Sequence, residues 1–497
     1  MLTEKEFILS DQNKSSNTIF WHDYETWGVD PRRDRAVQFA GIRTNLDLEV
    51  VGDPVMFYCK PTTDFLPHPD AVRVTGIAPQ LADKEGVNEA EFFGRINEIF
   101  SIPGTCGAGY NSIRFDDEVT RFGFYRNFID PYAREWQNGN NRWDILDLVR
   151  MTHALRPEGI NWPTREDIHT GGPVTSFRLE HLTEANNIEQ VGAHDALVDV
   201  KATIDIARLI KEHQPRLYDF YFNLRIKSNV APLLNTHVDL TQRKTMLHVS
   251  GMFPASQGCI SPIVPLMIHP VNKNEILCYD LRHDPSAMLE MNVDEIIDNL
   301  YKPRTERDEN HQHIAIKGIH INKSPALSPT NTLTDELATR WEIDWQVIEA
   351  NKQKLLSDNT LIRRLEEMYS RKRDSVDRDA DIDLYGGFIS NDDRKLCNRI
   401  LTSSPEKLAN WTPEFKSTRL QTLYPRYRAR NWPETLNEEE QRQWQSFCRA
   451  RLFDGEYDCP LTAEQFQQRL EELALEELTE REQKALEQLV AWVQGFM

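Results

Sequence analysis

The segment Thr18–Glu25 is the feature that most limits how this chain can fold. Its residues alternate as in a β-strand, so that Asp23 and Glu25 point to the same face as Trp21. The two carboxylates would lie about 6.5–7 Å apart along that face, beside apolar neighbours. Unpaired charges there cost free energy, whereas a hard cation such as Mg²⁺ or Mn²⁺ would offset their repulsion. Two solvated acids at an exposed strand end remain the alternative at this point.

Strands and helices alternate from this segment to about residue 213. Further strands are predicted at Val37–Arg43, Val55–Cys59 and Thr105–Tyr110. Helices are predicted at Glu89–Phe100, from Phe115 onwards and at Ala196–Lys211, because their apolar residues recur at helical spacing. The first three strands are separated by short turns and suggest an antiparallel meander. The mixture of strands and helices indicates an α/β region.

The sequence changes character after Gln214-Pro215, which marks a domain boundary. Short strands with Pro and Gly follow, at Leu247–Phe253, Ile263–Ile268, Ile276–Leu281 and His313–Ile321. One helix, Ser286–Tyr301, interrupts them, and a change of apolar phase at Gly318 predicts a β-bulge. These features favour a small, mostly antiparallel barrel. Beyond about residue 360 the chain is charged and mainly helical, and its length of 497 residues suggests about three domains.

The net charge of −20 argues against a protein that coats nucleic acid or an anionic membrane, although a local basic groove is compatible with it. A solvated helix face or an inner basic channel could account for the recurring Arg121, Arg126, Arg134, Arg142, Arg150 and Arg156. No apolar run reaches the length of about 18 residues that a membrane span needs, and the first residues lack the pattern of a secretory signal. The 7 Cys form no Cys-x-x-Cys pair, so reduced thiols in the cytoplasm fit best.

Two more sites supply acidic residues at helix starts. Asp116 follows a predicted buried strand and opens a helix, where Asp and Glu are favoured in any protein. His194 and Asp199 lie at the mouth and in the first turn of a later helix. A hydrogen bond to the backbone is the ordinary role of a lone His at such a place, so the alternative remains open for both sites.

The three motifs are Asp-x-Glu on a strand, Asn-x₃-Phe-Asp before a helix and His-x₄-Asp at a later helix. In this order they resemble the DEDDh class of DnaQ-like exonucleases, which have an RNase H-like fold. The resemblance implies a general base, His194, and four catalytic metal ligands, Asp23, Glu25, Asp116 and Asp199, of which Glu25 also contacts substrate. Two metals about 3.5–4 Å apart can stabilise both the attacking and the leaving oxygen of a phosphodiester. A His with a pKa near ~6.5 can take a proton from the attacking water near neutral pH.

Longer segments are similar to bacterial exonuclease I. They are His22–Gly28, Val74–Ile77, Arg156–Pro163, Ser176–Leu182, Val249–Phe253, His320–Lys323 and Tyr427–Asn431. The resemblance implies an α/β RNase H-like exonuclease domain at 15–210, with a mixed sheet and flanking helices. An SH3-like β-barrel domain at 215–365, which contributes to the DNA channel, and an α-helical C-terminal domain at 370–497 follow. The far C-terminus matches the family poorly.

The same resemblance implies an activity and its cofactor. The expected reaction is processive 3′→5′ hydrolysis of single-stranded DNA to 5′-mononucleotides, in DNA repair and recombination. Two Mg²⁺ ions per active site would serve it, and Mn²⁺ could replace them. The family also implies a cytoplasmic monomer.

Substrate contacts carry over from the family by motif. The resemblance places Arg178 at a phosphate near the cut, and Val74 and Thr75 at the terminal nucleotides. Further contacts carry over to Arg121, Tyr132, Trp136, Arg150, Lys227, Asn274, Lys317 and Asn322. Core packing is the alternative for Tyr132 and Trp136, and a surface salt bridge is the alternative for Arg150. We also expect the basic run Tyr427–Arg430 to add to this DNA-binding wall.

The resemblance further implies a protein partner, the acidic tail of single-stranded DNA-binding protein. Arg156 and Lys244 match its binding positions, whereas Thr334 stands where a basic residue is expected. Two other functions remain to be weighed. A non-catalytic DNA-binding or scaffold protein would gain nothing from four repelling carboxylates. An exoribonuclease or proofreading subunit is disfavoured because the smaller relatives with those activities lack the barrel and helical domains, although the residues alone do not show selection against a 2′-OH.

Overall fold

The computed structural model describes residues 17–167, 171–189, 195–309, 311–371 and 377–495. The chain divides into two compact units. The first unit contains Met1–Asn141, Gln190–Ile204 and Val376–Met497, and the second contains Arg142–Glu189 and Asp205–Ser375. Within the described ranges, no helix is both long and apolar enough to cross a membrane.

The strands and helices are numbered in chain order. The strands are β1 (Thr18–Thr26), β2 (Ala36–Thr44), β3 (Val55–Tyr58), β4 (Thr105–Gly109), β5 (Asn141–Asp144), β6 (Thr164–Glu166), β7 (Pro173–Thr175), β8 (Met246–Val249), β9 (Ile260–Ile268), β10 (Glu275–Asp280), β11 (Ile316–His320) and β12 (Ala326–Pro329). The helices before residue 235 are α1 (Pro69–Thr75), α2 (Pro79–Glu85), α3 (Glu89–Ser101), α4 (Asp116–Arg126), α5 (Ile145–Leu155), α6 (Leu179–Ala185), α7 (Ala196–His213), α8 (Pro215–Asn223) and α9 (Lys227–Leu234). The later helices are α10 (Ser286–Glu290), α11 (Val293–Tyr301), α12 (Asp335–Arg340), α13 (Trp345–Ser357), α14 (Leu361–Ser370), α15 (Asn391–Leu401), α16 (Pro405–Ala409), α17 (Thr418–Asn431), α18 (Glu438–Asp454), α19 (Ala463–Leu473) and α20 (Glu480–Gln494).

The first unit is built on a mixed sheet. Its strands run in the order β3–β2–β1–β4, with β1 antiparallel to β2 and parallel to β4. Phe20 of β1 and Phe39 of β2 are buried with Phe92 and Phe93 of α3 in one aromatic core. The meander and the α/β class predicted from the sequence are confirmed. Strand β1 lies inside the sheet, so its two acids sit on well-supported backbone.

The C-terminal helices pack into the same first unit through two apolar clusters. Leu486 and Leu489 of α20 are buried with Trp27, and Leu420 of α17 is buried with Phe122. Helices are the only regular elements longer than one short turn among the described residues from 377 to 495. The predicted helical character of this region is therefore confirmed.

The basic run Tyr427–Arg430 does not form a DNA-facing surface, and that expectation was wrong. Its side chains are buried. The Arg430 guanidinium donates to the carboxylates of Asp64, at 2.9 Å, and Asp381, at 2.8 Å, while Arg428 pairs with Glu440. A buried guanidinium needs such partners because an unpaired charge in the interior is costly. The run therefore holds the C-terminal helices to the rest of the first unit.

The second unit contains a five-stranded antiparallel sheet in the order β11–β10–β9–β8–β12. Four of these strands were predicted, and β12 was missed because it is short and ends at a Pro. The helix predicted over Ser286–Tyr301 is two helices, α10 and α11. Asn292 caps α11 by a capping box with Glu295, and this cap ends the first helix before the second begins.

The β-bulge predicted at Gly318 was wrong. Gly318 pairs with Leu277 in unbroken register between β10 and β11. The phase change arises because Ile314 lies before β11 begins and so does not belong to that strand. A register shift does occur on the other side of β10, where Leu277 and Cys278 face Met267 and Pro265. Pro265 lacks the N–H that a regular ladder requires, which explains the irregularity there.

Candidate active site

Strand β1 brings two acids to one side of the sheet, and helix α7 adds a third. Oxygen atoms of Asp23, Glu25 and Asp199 all lie within 4.8 Å of one another. The three side chains are partly exposed, so that solvent and substrate can reach them. The sequence separation between β1 and α7 is large, and only the fold makes these acids a cluster.

Asp116 lies directly beside this cluster. Its Oδ1 accepts the backbone N–H of Tyr24, the residue between the two β1 acids, at 3.2 Å. The side chain of Asp116 is buried at the first turn of α4. Behind it, the buried Asp117 carboxylate pairs with Arg134. Four carboxylates predicted from three separate motifs are thus assembled around one strand.

The start of α7 is held by hydrogen bonds that fix the direction of Asp199. The Asp195 carboxylate accepts the N–H of Leu197 at 3.0 Å, which caps the helix. The N–H of Ala196 donates to Oε1 of Gln38 on β2, at 3.3 Å. His194, the predicted general base, lies outside the described residues, so its role stays a prediction.

The acids of the cluster raise one another's pKa. Burial, followed by the nearby carboxylates of Asp23 and Asp199, raises the pKa of Glu25 from 4.5 to about 10. Burial and then the Asp199 charge raise the pKa of Asp23 well above its usual range. Burial and then Asp23 do the same for the pKa of Asp116. Packing like charges this closely is unfavourable unless a cation or protons compensate them.

The cluster fits a divalent metal. It offers only carboxylate oxygens, which are the ligands that hard cations prefer. The separation of at most 4.8 Å among three of the side chains lets them share one ion. Asp116, held against β1 by the Tyr24 N–H, could complete a site for a second ion. The donor set and the mutual repulsion therefore both point to bound divalent cations.

Comparison with known proteins places the whole chain. A model of the exonuclease family matches residues 20–207, the exonuclease I SH3-like domain matches 225–371, and the exonuclease I C-terminal domain matches 378–496. Exodeoxyribonuclease I of Escherichia coli is 45% identical over 451 residues, which are 90% of this chain and 92% of that protein. This chain belongs to the exodeoxyribonuclease I family.

Solved structures of the exodeoxyribonuclease I family share the fold. Exonuclease I of Methylocaldum szegediense superposes with a TM-score of 0.90 at 41% identity, covering 97% of this chain and 99% of that one. The zinc-bound complex of E. coli exonuclease I with single-stranded DNA has a TM-score of 0.88 at 41% identity and covers 97% and 100% of the two chains. The predicted order of exonuclease, SH3-like and C-terminal helical domains is confirmed. Family membership and the acidic cluster together imply a divalent metal.

Three of the residues predicted to meet DNA lie together in the first unit, on and after α4. Nε and Nη2 of Arg121 donate to the two carboxylate oxygens of Glu135, at 2.7 and 2.8 Å, and Nη1 pairs with Glu118 at 2.7 Å. Its guanidinium also lies 5.3 Å from the ring centre of Tyr132. Trp136 is 67% exposed, so core packing is not its role. Arg121 thus supports Tyr132, whereas Trp136 is open to a ligand.

The arginines that recur from 121 to 156 do not form a solvated helix face. Arg121, Arg126, Arg134 and Arg142 are buried. Arg126 pairs with Glu89 at 3.2 Å, and Arg134 pairs with Asp117. Several of these charges are consumed by internal ion pairs, so an inner channel cannot draw on all of them.

In the second unit, the fold joins two predicted DNA contacts that are 47 residues apart. Nζ of Lys227, at the start of α9, donates to Oδ1 of Asn274 at 2.6 Å. Lys317 on β11 donates to Oγ of Ser250 at 3.0 Å, and its ammonium lies 4.4 Å from the ring centre of Phe253. Each lysine is therefore held in a defined position by a neutral partner, with its charge uncompensated there.

The remaining predicted contacts in the second unit are spread over several elements. Arg178 caps α6, is exposed and lies 3.8 Å from Glu180. Arg150 pairs with Asp147 at 2.8 Å, which is the salt bridge named as its alternative. The backbone carbonyl of Asn322 accepts from Arg142 at 3.4 Å. Contact of these residues with DNA stays a prediction.

Sequence reasoning missed one contact at the predicted end-binding segment. Val74 and Thr75 form the last turn of α1, with Val74 45% exposed and Thr75 buried. The carbonyl of Thr75 accepts a hydrogen bond from Arg481 on α20, at 2.8 Å. The two residues are 406 positions apart, and the far C-terminus carries no motif that could have indicated the contact.

Metal should stabilise this protein more at high pH than at low pH. The pKa of Glu25 is about 10 in the metal-free fold and 4.5 in its usual state. The folded state therefore holds a proton that the unfolded chain releases, and the stability of the metal-free protein falls as pH rises through that interval. Divalent ions bind the ionised carboxylates and reverse the loss. We expect the rise in Tm caused by MgCl₂ over EDTA to be larger at about pH 8.5 than at about pH 5.5.

Asp205→Asn, which alters an exposed acid of the same helix α7, should retain this pH-dependent gain in Tm. An equal Mg²⁺-induced shift at the two pH values would contradict the protonation state described for the cluster.

Proposed function

We propose that this protein is a processive 3′→5′ exonuclease that hydrolyses single-stranded DNA to 5′-mononucleotides, with two Mg²⁺ ions per active site. The observation that carries the proposal is the carboxylate cluster, in which Asp23, Glu25 and Asp199 lie within 4.8 Å on an exonuclease fold. The exonuclease, SH3-like and C-terminal family models, which together span residues 20–496, support the same reading. The complex of the E. coli relative with single-stranded DNA supports the choice of substrate.

The residues divide the chemical work. Asp23, Glu25, Asp116 and Asp199 would hold the metal ions, which when bound neutralise the charge that builds on the phosphate and on the leaving oxygen. His194 would take the proton of the attacking water as general base. Arg178 would bind a phosphate near the cut, since a guanidinium can donate two parallel hydrogen bonds to it.

The DNA strand would be held by aromatic and basic side chains beyond the cut. Tyr132 and Trp136 can stack on any base, at about 1–3 kcal/mol per base, without sequence preference. Arg121, Arg150, Lys227, Asn274, Lys317 and Asn322 would supply the polar contacts. Each contact is weak, but a strand bound by many of them leaves only when all release together. This distribution is what processive digestion requires.

The second unit's lysines should matter for long strands and not for the chemistry. We expect Lys227→Ala with Lys317→Ala to leave single-nucleotide removal from a very short oligomer nearly intact. On long strands the double variant should dissociate early, and its affinity should depend less on salt by a slope of about two, because two fewer counterions are released on binding. The measurement is the product length distribution in the presence of excess unlabelled DNA, at two salt concentrations.

A matched control removes two other lysines of the same unit, Lys302 and Lys354, which pair with Asp308 and Asp284. This control should digest long strands as the parent protein does. If the Lys227 and Lys317 variant also completes digestion in one encounter, both lysines are ordinary surface charges and the proposed binding wall is wrong.

One experiment separates this function from its rivals. A 5′-labelled single-stranded DNA and an RNA of the same sequence are incubated with the protein, with Mg²⁺ or with EDTA. We expect Mg²⁺-dependent shortening of the DNA from its 3′ end, release of 5′-mononucleotides and much slower loss of the RNA. Equal or faster loss of RNA would support an exoribonuclease, and binding of DNA without cleavage in Mg²⁺ would support a scaffold protein.

The proposal includes a protein partner, the acidic tail of single-stranded DNA-binding protein. Arg156 and Arg216 line a cavity of about 270 Å³ whose other walls include Leu155, Leu217 and Phe220. The guanidinium groups suit an acidic peptide, and the apolar walls could take its apolar side chains. Lys244 is exposed and could extend the positive surface. A cytoplasmic monomer is also part of the proposal, and the free thiols of all seven cysteines support the compartment.

A further inference from the structure

We propose that Arg481, on the last helix of the chain, is a positioning residue for the 3′ end of the DNA. It would act by holding the last turn of α1, where Val74 and Thr75 are predicted to meet the terminal nucleotides. The inference rests on the proposed function, since it concerns how that substrate end is held. It gives the far C-terminal helix a role in the active site that sequence comparison leaves undefined.

The first support is the contact itself. Helix α1 ends at Gly76, which has a φ of 70° and donates its N–H to the carbonyl of Val72 at 2.9 Å. The carbonyl of Thr75 is one of the groups that a helix end leaves without an intrahelical partner. Nη2 of Arg481 donates to it at 2.8 Å, and a cation is favourable at this end of a helix.

The second support is the close fit of the guanidinium against Gly76. A Cβ placed on Gly76 would lie 2.6 Å from Nη2 of Arg481 and 2.7 Å from its Nε. Glycine is therefore needed both for the positive φ and for the approach of the arginine. The backbone after Val74 and Thr75 is shaped around this one side chain.

The third support is that α1 depends on the C-terminal helices for its position. A helix of seven residues has little stability alone. Arg469 of α19 binds both carboxylate oxygens of Asp70, at 2.8 and 2.9 Å, near the start of α1. Val72 is buried with Leu486 and Leu489 of α20. The start and the middle of α1 are thus fixed by other contacts, and Arg481 is the charged group that fixes its end.

The last support links α1 to the catalytic strand. The N–H of His68, just before α1, donates to the carbonyl of Trp27 at 2.8 Å. Trp27 lies two residues beyond Glu25 and is buried in the same apolar cluster as Val72. A displaced end of α1 would therefore move the terminal-nucleotide contacts relative to the carboxylates. Misplacement by about 1 Å can cost about a hundredfold in rate.

The test compares Arg481→Gln with Arg469→Gln, which removes an equivalent clasp from the other end of α1. We expect Arg481→Gln to raise KM for a short single-stranded oligonucleotide about tenfold, with a smaller change in kcat, because ground-state placement of the end is lost. Arg469→Gln should change KM by less than about twofold even if it lowers Tm as much. Arg481→Lys, which can still donate to the Thr75 carbonyl, should recover most of the loss.

A fluorescent base reports the position directly. Oligothymidylates carrying 2-aminopurine at the 3′-terminal or at the fifth position are bound in EDTA, so that they are not cut. In Arg481→Gln the terminal probe should change its fluorescence relative to the parent protein, while the fifth-position probe should not. A merely stabilising side chain would alter both probes equally or neither, and that result would overturn the inference.

The outcomes separate the inference from the function on which it rests. If the parent protein does not shorten 5′-labelled DNA, the proposed function fails. If it does, and Arg481→Gln matches Arg469→Gln in KM and in both probes, only the positioning role fails. Should Arg481→Gln not fold, Arg481→Lys and Arg469→Lys are compared in the same way, and equal kinetics and fluorescence would again exclude the role.

Discussion

Asp199→Asn is expected to abolish cleavage of single-stranded DNA while leaving DNA binding nearly intact. Its carboxylate is the contribution of α7 to a set of three acids within 4.8 Å of one another. An amide is a poorer metal ligand and carries no charge, so the transition state loses its compensation. We expect a rate loss of at least about a thousandfold, since the metals serve both the attacking and the leaving oxygen. Single-turnover cleavage and fluorescence anisotropy measure the two properties separately.

The same substitution should not weaken the fold. Repulsion from Asp199 contributes to the raised pKa values of Asp23 and Glu25, so removing its charge relieves strain in the metal-free protein. The Tm in EDTA should therefore be unchanged or higher. Asp205→Asn, on the same helix but paired with Arg208 at 2.7 Å, is the matched control and should keep full activity. Mg²⁺-dependent turnover by pure Asp199→Asn protein would remove Asp199 from the site.

His194→Ala is expected to lower the rate by about 10²–10⁴-fold, the usual contribution of a general base. It should also flatten the low-pH limb of the rate profile, because the parent enzyme loses activity as the imidazole becomes protonated. Binding of Mn²⁺ to the carboxylates should be retained. The pH dependence of kcat under saturating metal is the measurement that decides this.

Asp195→Asn is the control for that experiment. The Asp195 side chain accepts the N–H of Leu197, and an asparagine oxygen can make the same cap. This variant should keep the helix start and the parent pH profile. If His194→Ala leaves the low-pH limb unchanged and Asp195→Asn alters it, the base is Asp195.

The site could be predicted from the sequence because its chemistry is written in local patterns. Asp23 and Glu25 follow the strand period, Asp116 begins a helix after a buried strand, and Asp199 is one turn into another helix. Each pattern is ambiguous alone, and their order along the chain is what identified them. The distances among them depended on the register of β1 between β2 and β4, which no local pattern contains.

The errors came from interactions between distant residues or from signals given too little weight. The capping box of Asn292 and Glu295 is visible in the sequence and would have divided the helix at Ser286–Tyr301. By contrast, nothing near Arg430 indicates that Asp64 and Asp381 neutralise it in the interior. A basic run resembles a DNA-binding surface until the partners of each charge are known. Long-range ion pairs are therefore where sequence reasoning about this family is weakest.

The most direct test of the metal site is an anomalous difference map from crystals of the protein soaked with Mn²⁺ in the presence of a single-stranded oligonucleotide. The account predicts two Mn²⁺ peaks about 3.5–4 Å apart, in contact with the carboxylates of Asp23, Glu25, Asp116 and Asp199, beside the last phosphate at the 3′ end. Bound DNA with no Mn²⁺ peak at Asp23 and Asp199, or with its 3′ end directed away from them, would contradict it.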